Sequence, residues 1–101
     1  MKINFAEIKF RPSLFEPEII DKELAPTDKH PKRRPIAWQI ADELWRSTDI
    51  VKAKVGERIY ENFGKETEIS DIEKGYVKEA LASFPQWVRV RVLEALGEKA
   101  E

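Results

Sequence analysis

Nucleophilic and acid–base chemistry has few candidates in this chain. There is no Cys, and His30 is the single His. A Cys–His pair is therefore excluded, and a Ser–His–acid arrangement would have to use His30. That residue lies in Lys29-His30-Pro31-Lys32-Arg33-Arg34-Pro35, a loop of cations, and reads as a solvated side chain. Carboxylates are plentiful, but none forms a telling pair. Asp42 and Glu43 are adjacent and so face different ways on a helix, while Asp71 and Glu73 suit a helix cap. The usual zinc sets need more His and Cys than the chain has. No Asp-x-Asp-x-Asp-Gly calcium loop is present, and the four glycines are too scattered for a phosphate-binding loop or dinucleotide fingerprint. The sequence predicts no catalytic residue, metal, cofactor or small-molecule substrate.

The positive signal is basic. Lys29, His30, Lys32, Arg33 and Arg34 fall within six residues, pinned by Pro31 and Pro35. Prolines favour extended backbone in the residues before them, which projects the cations outward. Such a segment can hold phosphate through charge-assisted hydrogen bonds or meet an acidic protein surface. It can equally be a solvated loop, or pair with Asp28, Asp42 and Glu43. Trp38 follows closely, and Trp45 comes seven residues, or two helical turns, later. The two share a helix face, which suits either a core stripe or an interface, where Trp and Arg are enriched. Trp87 is the third candidate interface aromatic.

Elements must hold these residues, and the prolines divide the chain. Five of six lie between Pro12 and Pro35, so residues 11–35 read as an irregular segment carrying the basic loop. Its one candidate helix is Glu16 to Leu24, with Pro17 in the first turn. Residues 1–10 read as an extended arm or strand. Ile3 and Phe5 alternate with polar neighbours, and Ile8 and Phe10 do so one step out of phase, which suggests a bulge at Ala6. No second convincing strand follows, so the arm is expected to pack on helices or pair with another chain.

Residues 36–98 read as helical. Ile36, Ile40, Leu44, Val51, Val55, Ile59 and Phe63 fall at helical spacing, with Gly64 as C-cap. One reading is a single helix of about 28 residues, roughly 42 Å long. The preferred reading breaks it at Ser47-Thr48-Asp49, three residues that compete with helical hydrogen bonding. Ser70-Asp71-Ile72-Glu73 is a capping box that opens the next helix. Ser83-Phe84-Pro85-Gln86 repeats the pattern before a last helix from Pro85 to about Leu96. The rival there is a strand through Val88, Val90 and Val92, but Val88, Val92 and Leu96 also form an i, i+4 row. The stretch from Leu81 to Arg89 resembles, over nine residues, a helix–Pro–helix segment of light-independent protochlorophyllide reductase subunits; no function is carried over from it.

Composition bounds the rest. The 101 residues suit one domain, and a hydrophobic content of 42% argues for a folded chain. Eighteen Lys and Arg against nineteen Asp and Glu exclude a globally basic nucleic-acid coat. No apolar run approaches a membrane span. With no Cys and no apolar leader, the expected setting is the cytoplasm. Charged residues make up 37% of the chain, against two Asn, two Gln and one Met, a thermophile-like bias. The sequence thus predicts one mainly α domain, a small bundle of three to five helices with an extended N-terminal arm. Its expected role is non-enzymatic: a protein-interaction module or small subunit of a larger assembly, bound to another protein or to itself as a homo-oligomer. A DNA- or RNA-binding regulator using residues 29–34 is the alternative, and a carboxylate-based enzyme the weakest reading.

Overall fold

The computed structural model describes residues 1–97. Among these residues there are four α-helices: α1 (Ile36–Trp45), α2 (Ile50–Glu61), α3 (Asp71–Ala80) and α4 (Gln86–Ala95). The end of the helical region expected at 98 lies outside the described residues. Four two-residue strands accompany the helices: β1 (Lys2–Ile3), β2 (Lys9–Phe10), β3 (Ile19–Ile20) and β4 (Thr67–Glu68). The fold is a small mainly α bundle with a strand-bearing N-terminal segment. No described helix is long and apolar enough to cross a membrane.

The N-terminal segment corrects two expectations. Its change of phase comes from a 3-10 turn, Phe5–Glu7, rather than a bulge, and Asn4 caps that turn by accepting from the Ala6 amide at 3.1 Å. The turn buries Phe5 and Ala6 together and lets Ile3, Ile8 and Phe10 reach the same core. The arm also finds its strand partners within the chain. β1 pairs antiparallel with β4, Lys2 opposite Glu68 and Ile3 opposite Thr67. β2 pairs with β3, Lys9 opposite Ile20 and Phe10 opposite Ile19. The partners were hidden because two-residue strands carry no periodicity to detect. The unpaired arm is therefore no reason for self-association.

The expected Glu16–Leu24 helix is absent. Ile19 and Ile20 are taken by the β2–β3 pairing, and only a 3-10 turn, Asp21–Leu24, follows. That turn buries Asp21, whose carboxylate accepts from the amides of Ile36 at 2.7 Å and Ala37 at 2.9 Å. Pro35, at the N-cap, has no side-chain acceptor to offer the first turn of α1. A helix leaves its first amides unpaired, and here a carboxylate distant in sequence supplies the cap. Burial pushes the Asp21 carboxyl up to about 6, against the opposing pull of the two amide donors.

The break at Ser47-Thr48-Asp49 is observed. Asp49 caps α2 by accepting from the Val51 amide at 2.9 Å. The short connection folds α2 back along α1. Their axes approach closely at Gly56, where a Cβ would lie 2.5 Å from the Ala41 carbonyl oxygen and 2.9 Å from Leu44 Cβ. Of the predicted row, Ile36, Ile40, Leu44, Val55 and Ile59 are buried, while Val51 is exposed.

The Ser70–Glu73 capping box forms in both directions. Its other carboxylate oxygen accepts from Arg58 Nη1 at 2.8 Å, and the same nitrogen reaches the Glu68 carbonyl at 3.1 Å. This clamp ties α2 to β4 and α3. Burial raises the Glu73 carboxyl, but the Ser70 amide and Arg58 outweigh it and hold it below its ordinary value. The second box does not form. Pro85 is the N-cap of α4, and the Ser83 hydroxyl donates back to the Ala80 carbonyl at 3.2 Å. Residues 86–95 are nevertheless helical, with Val88, Val92 and Leu96 buried as one row. Gly97 follows at φ 77°, the left-handed C-terminal position that favours glycine.

Candidate functional site

The fold brings three of the predicted site residues to one place. Arg34, Trp38 and Trp45 line a groove of about 910 Å³ between the α1–α2 hairpin and the loop before α1. Trp38, Asp42 and Trp45 fall on successive turns of α1, while Gly56 and Tyr60 lie one turn apart on α2. Ala41 and Gly56 both line the groove and are buried, so small residues form the contact between the helices. That closeness leaves the larger aromatics projecting beyond it.

The aromatics of the groove differ in how far they are packed. The Trp38 ring tilts against Tyr60 at 5.2 Å and meets Phe63 edge-on at 5.6 Å. Its indole N–H is buried without an acceptor among the described residues, which costs about 1–3 kcal/mol. Trp45, by contrast, keeps 52% of its surface in water, and Tyr60 keeps 54%. The groove also carries the carboxylates of Asp42, Glu57 and Glu61. Asp42 pairs with Arg46 at 3.0 Å and Glu57 with Lys54 at 3.4 Å, both exposed contacts along a single helix. Exposed pairs of this kind leave the carboxylates available to a competing cation.

The basic segment forms an ordered turn. Thr27 and His30 exchange backbone hydrogen bonds at 3.2 and 3.1 Å, and the Arg33 amide donates to the His30 carbonyl at 3.3 Å. Lys29, His30, Lys32, Arg33 and Arg34 are all exposed. Arg34 donates to the carbonyls of Pro31 and Arg33, and Arg33 reaches that of Glu23. No described ion pair joins this segment to Asp28, Asp42 or Glu43, so its charge faces outward. Trp87 stands apart from the groove. It is part-buried, its ring edge-on to Phe10 at 6.2 Å, and it belongs to the packing of α4 on β2.

Tyr60, Gly56 and the hairpin loop between β2 and β3 were missed as functional candidates. Tyr60 lies off the apolar row that defines α2, and the pattern alone gives no reason to single it out. Gly56 could have been suspected, since a glycine inside a helix costs about 1 kcal/mol against Ala and needs a packing reason. In the hairpin loop, Leu14 is 80% exposed and Phe15 fully exposed. Among the described residues no group of three or more His, Asp or Glu is placed to hold a metal ion. Comparison with family models, curated proteins and solved structures gives no match.

Proposed function

We propose that this chain is a non-enzymatic protein-interaction module, a small subunit of a larger assembly, with the α1–α2 groove as its binding surface. The observation that carries this reading is the pair Trp45 and Tyr60. They are two large aromatics left half in water beside a groove that the helix contact itself creates. Exposed aromatics set in a concave surface are characteristic of interface anchors, because one side chain removes a large apolar area from water on binding. The carboxylates around them provide a polar rim that sets orientation. The cytoplasm is the setting proposed, since nothing in a cysteine-free chain calls for an oxidising compartment.

Capture from native extract, with and without nuclease, tests the reading. The module predicts a protein partner that survives nuclease treatment. Recovery of nucleic acid alone would contradict it.

A second reading is favoured by a specific observation: five exposed basic residues on one ordered turn, the last of which shares the groove with Trp38. This would be nucleic-acid binding through phosphate contacts. With about four contacts, the slope of log affinity against log salt on duplex DNA would be near −3 to −4. Replacing Arg33 and Arg34 by Ala would reduce it by about two. Absence of binding at low salt would remove this reading.

A further inference from the structure

The loop between β2 and β3 is built to display two apolar side chains. Pro12 and Pro17 flank it, and Ser13 organises its tip: the Ser13 hydroxyl accepts from the Phe15 amide at 3.3 Å and the Ser13 carbonyl from the Glu16 amide at 3.2 Å. Arg11 Nη2 donates to the Leu14 carbonyl at 2.9 Å, and Glu18, at the loop's far end, pairs with Arg91 on α4 at 2.9 Å. These contacts fix the backbone while Leu14 and Phe15 stand in water. The tip thus combines two apolar side chains with one guanidinium and, next to Phe15, the exposed carboxylate of Glu16. The groove offers the complement, exposed Trp45 and Tyr60 with the carboxylates of Asp42, Glu57 and Glu61 and the guanidinium of Arg34.

We propose that the tip of one copy seats in the groove of a second copy. Phe15 enters beside Trp45 and Tyr60, where ring edges and faces pack favourably. Arg11 meets the carboxylates, having several donors left after its bond to Leu14. One contact then covers both the tip side chains and the groove aromatics. The contact is head-to-tail, because each copy gives a tip to one neighbour and a groove to another, and assembly continues past the dimer unless the rotation closes a ring. This proposal rests on the groove's being the interaction surface, and names its occupant.

Sedimentation of the full chain from low micromolar to near-millimolar concentration tests it. The wild type is expected to rise above 11.8 kDa with concentration. Phe15→Asp and Trp45→Ala are each expected to stay at the monomer mass. Their equimolar mixture is expected to reach about twice 11.8 kDa and no further, since one variant keeps its groove and the other its tip. Circular dichroism checks that Trp45→Ala remains folded, and Tyr60→Ala serves as a second groove variant. The proposal is overturned if the wild type stays monomeric, if Phe15→Asp associates as the wild type does, or if the mixture fails to pair. A monomeric wild type that still captures a protein through Trp45 would remove the self-contact and leave the interaction reading standing.

Discussion

The carboxylate of Asp21 caps α1 from fifteen residues away, accepting from the Ile36 amide at 2.7 Å while Ala37 occupies its second oxygen. Both amides are buried, so water cannot replace the cap. Asp21→Ala is expected to cost about 2–4 kcal/mol, combining the loss of a cap with two unpaired buried donors. Asp21→Asn should recover only part of this, because its one carbonyl oxygen leaves an NH₂ against the other donor. Urea denaturation measures both. A loss below about 0.5 kcal/mol for the Ala variant would mean that the helix starts without this carboxylate.

The same residue gives stability a pH dependence of definite sign. Burial, partly offset by the two amides, moves its carboxyl from 3.8 up to about 6. Between those two pH values the native state therefore keeps a proton that the unfolded chain releases. The contribution of Asp21 is fully present below 3.8 and declines as the pH rises through about 6, by roughly 3 kcal/mol in all. Glu73 works in the opposite sense. Its carboxyl is held low, so its contribution is present above its ordinary 4.5 and is lost as the pH falls through the native value. Comparing wild type with Asp21→Ala separates the two. The wild type's advantage should be larger near pH 4 than near pH 7, and an advantage that grows with pH would show an ionised carboxylate throughout.

Gly56→Ala places a methyl 2.5 Å from the Ala41 carbonyl oxygen and 3.0 Å from the Trp45 amide nitrogen, both backbone atoms with little room to yield. Helix propensity favours Ala by about 1 kcal/mol, but overpacking costs about 1–3 kcal/mol. The expected outcome is net destabilisation with altered Trp fluorescence, as α1 and α2 move apart beneath Trp45. A stabilised variant would show that the helices do not meet at this point.

The parts of the fold that were legible are those with a local cause. The Ser47-Thr48-Asp49 break, the Ser70–Glu73 box and the Val88–Val92–Leu96 row each announce themselves through neighbours in sequence. The parts that were not legible depend on distant partners. Nothing near Asp21 indicates that it turns inward to cap a helix beginning at Ile36, and the pairing of Lys2–Ile3 with Thr67–Glu68 spans most of the chain. The site divides in the same way. Trp38 and Trp45 were visible from their spacing on one helix, whereas Tyr60 joins them only once α2 folds back. Phe15 was hidden because an isolated Leu14-Phe15 pair in a Pro-rich segment gives no sign of its exposure.

Ser70→Ala should cost about 0.5–2 kcal/mol as a lost N-cap. Because Glu73 also holds Arg58 at 2.8 Å, the effect should couple to that contact. In a double-mutant cycle with Arg58→Met, the two losses are expected to be non-additive by at least about 0.5 kcal/mol. Simple additivity would mean that the cap and the clamp act independently.

The groove's role is tested most directly by photo-crosslinking from within it. A photoreactive benzoylphenylalanine in place of Trp45 would sample whatever occupies the groove in native extract. The same group in place of Ile72, on α3 and 70% exposed, is the control. The account predicts discrete protein adducts from position 45, a second copy of the chain among them, and none of comparable yield from position 72. Equal adducts from both positions, or nucleic acid alone at position 45, would contradict it.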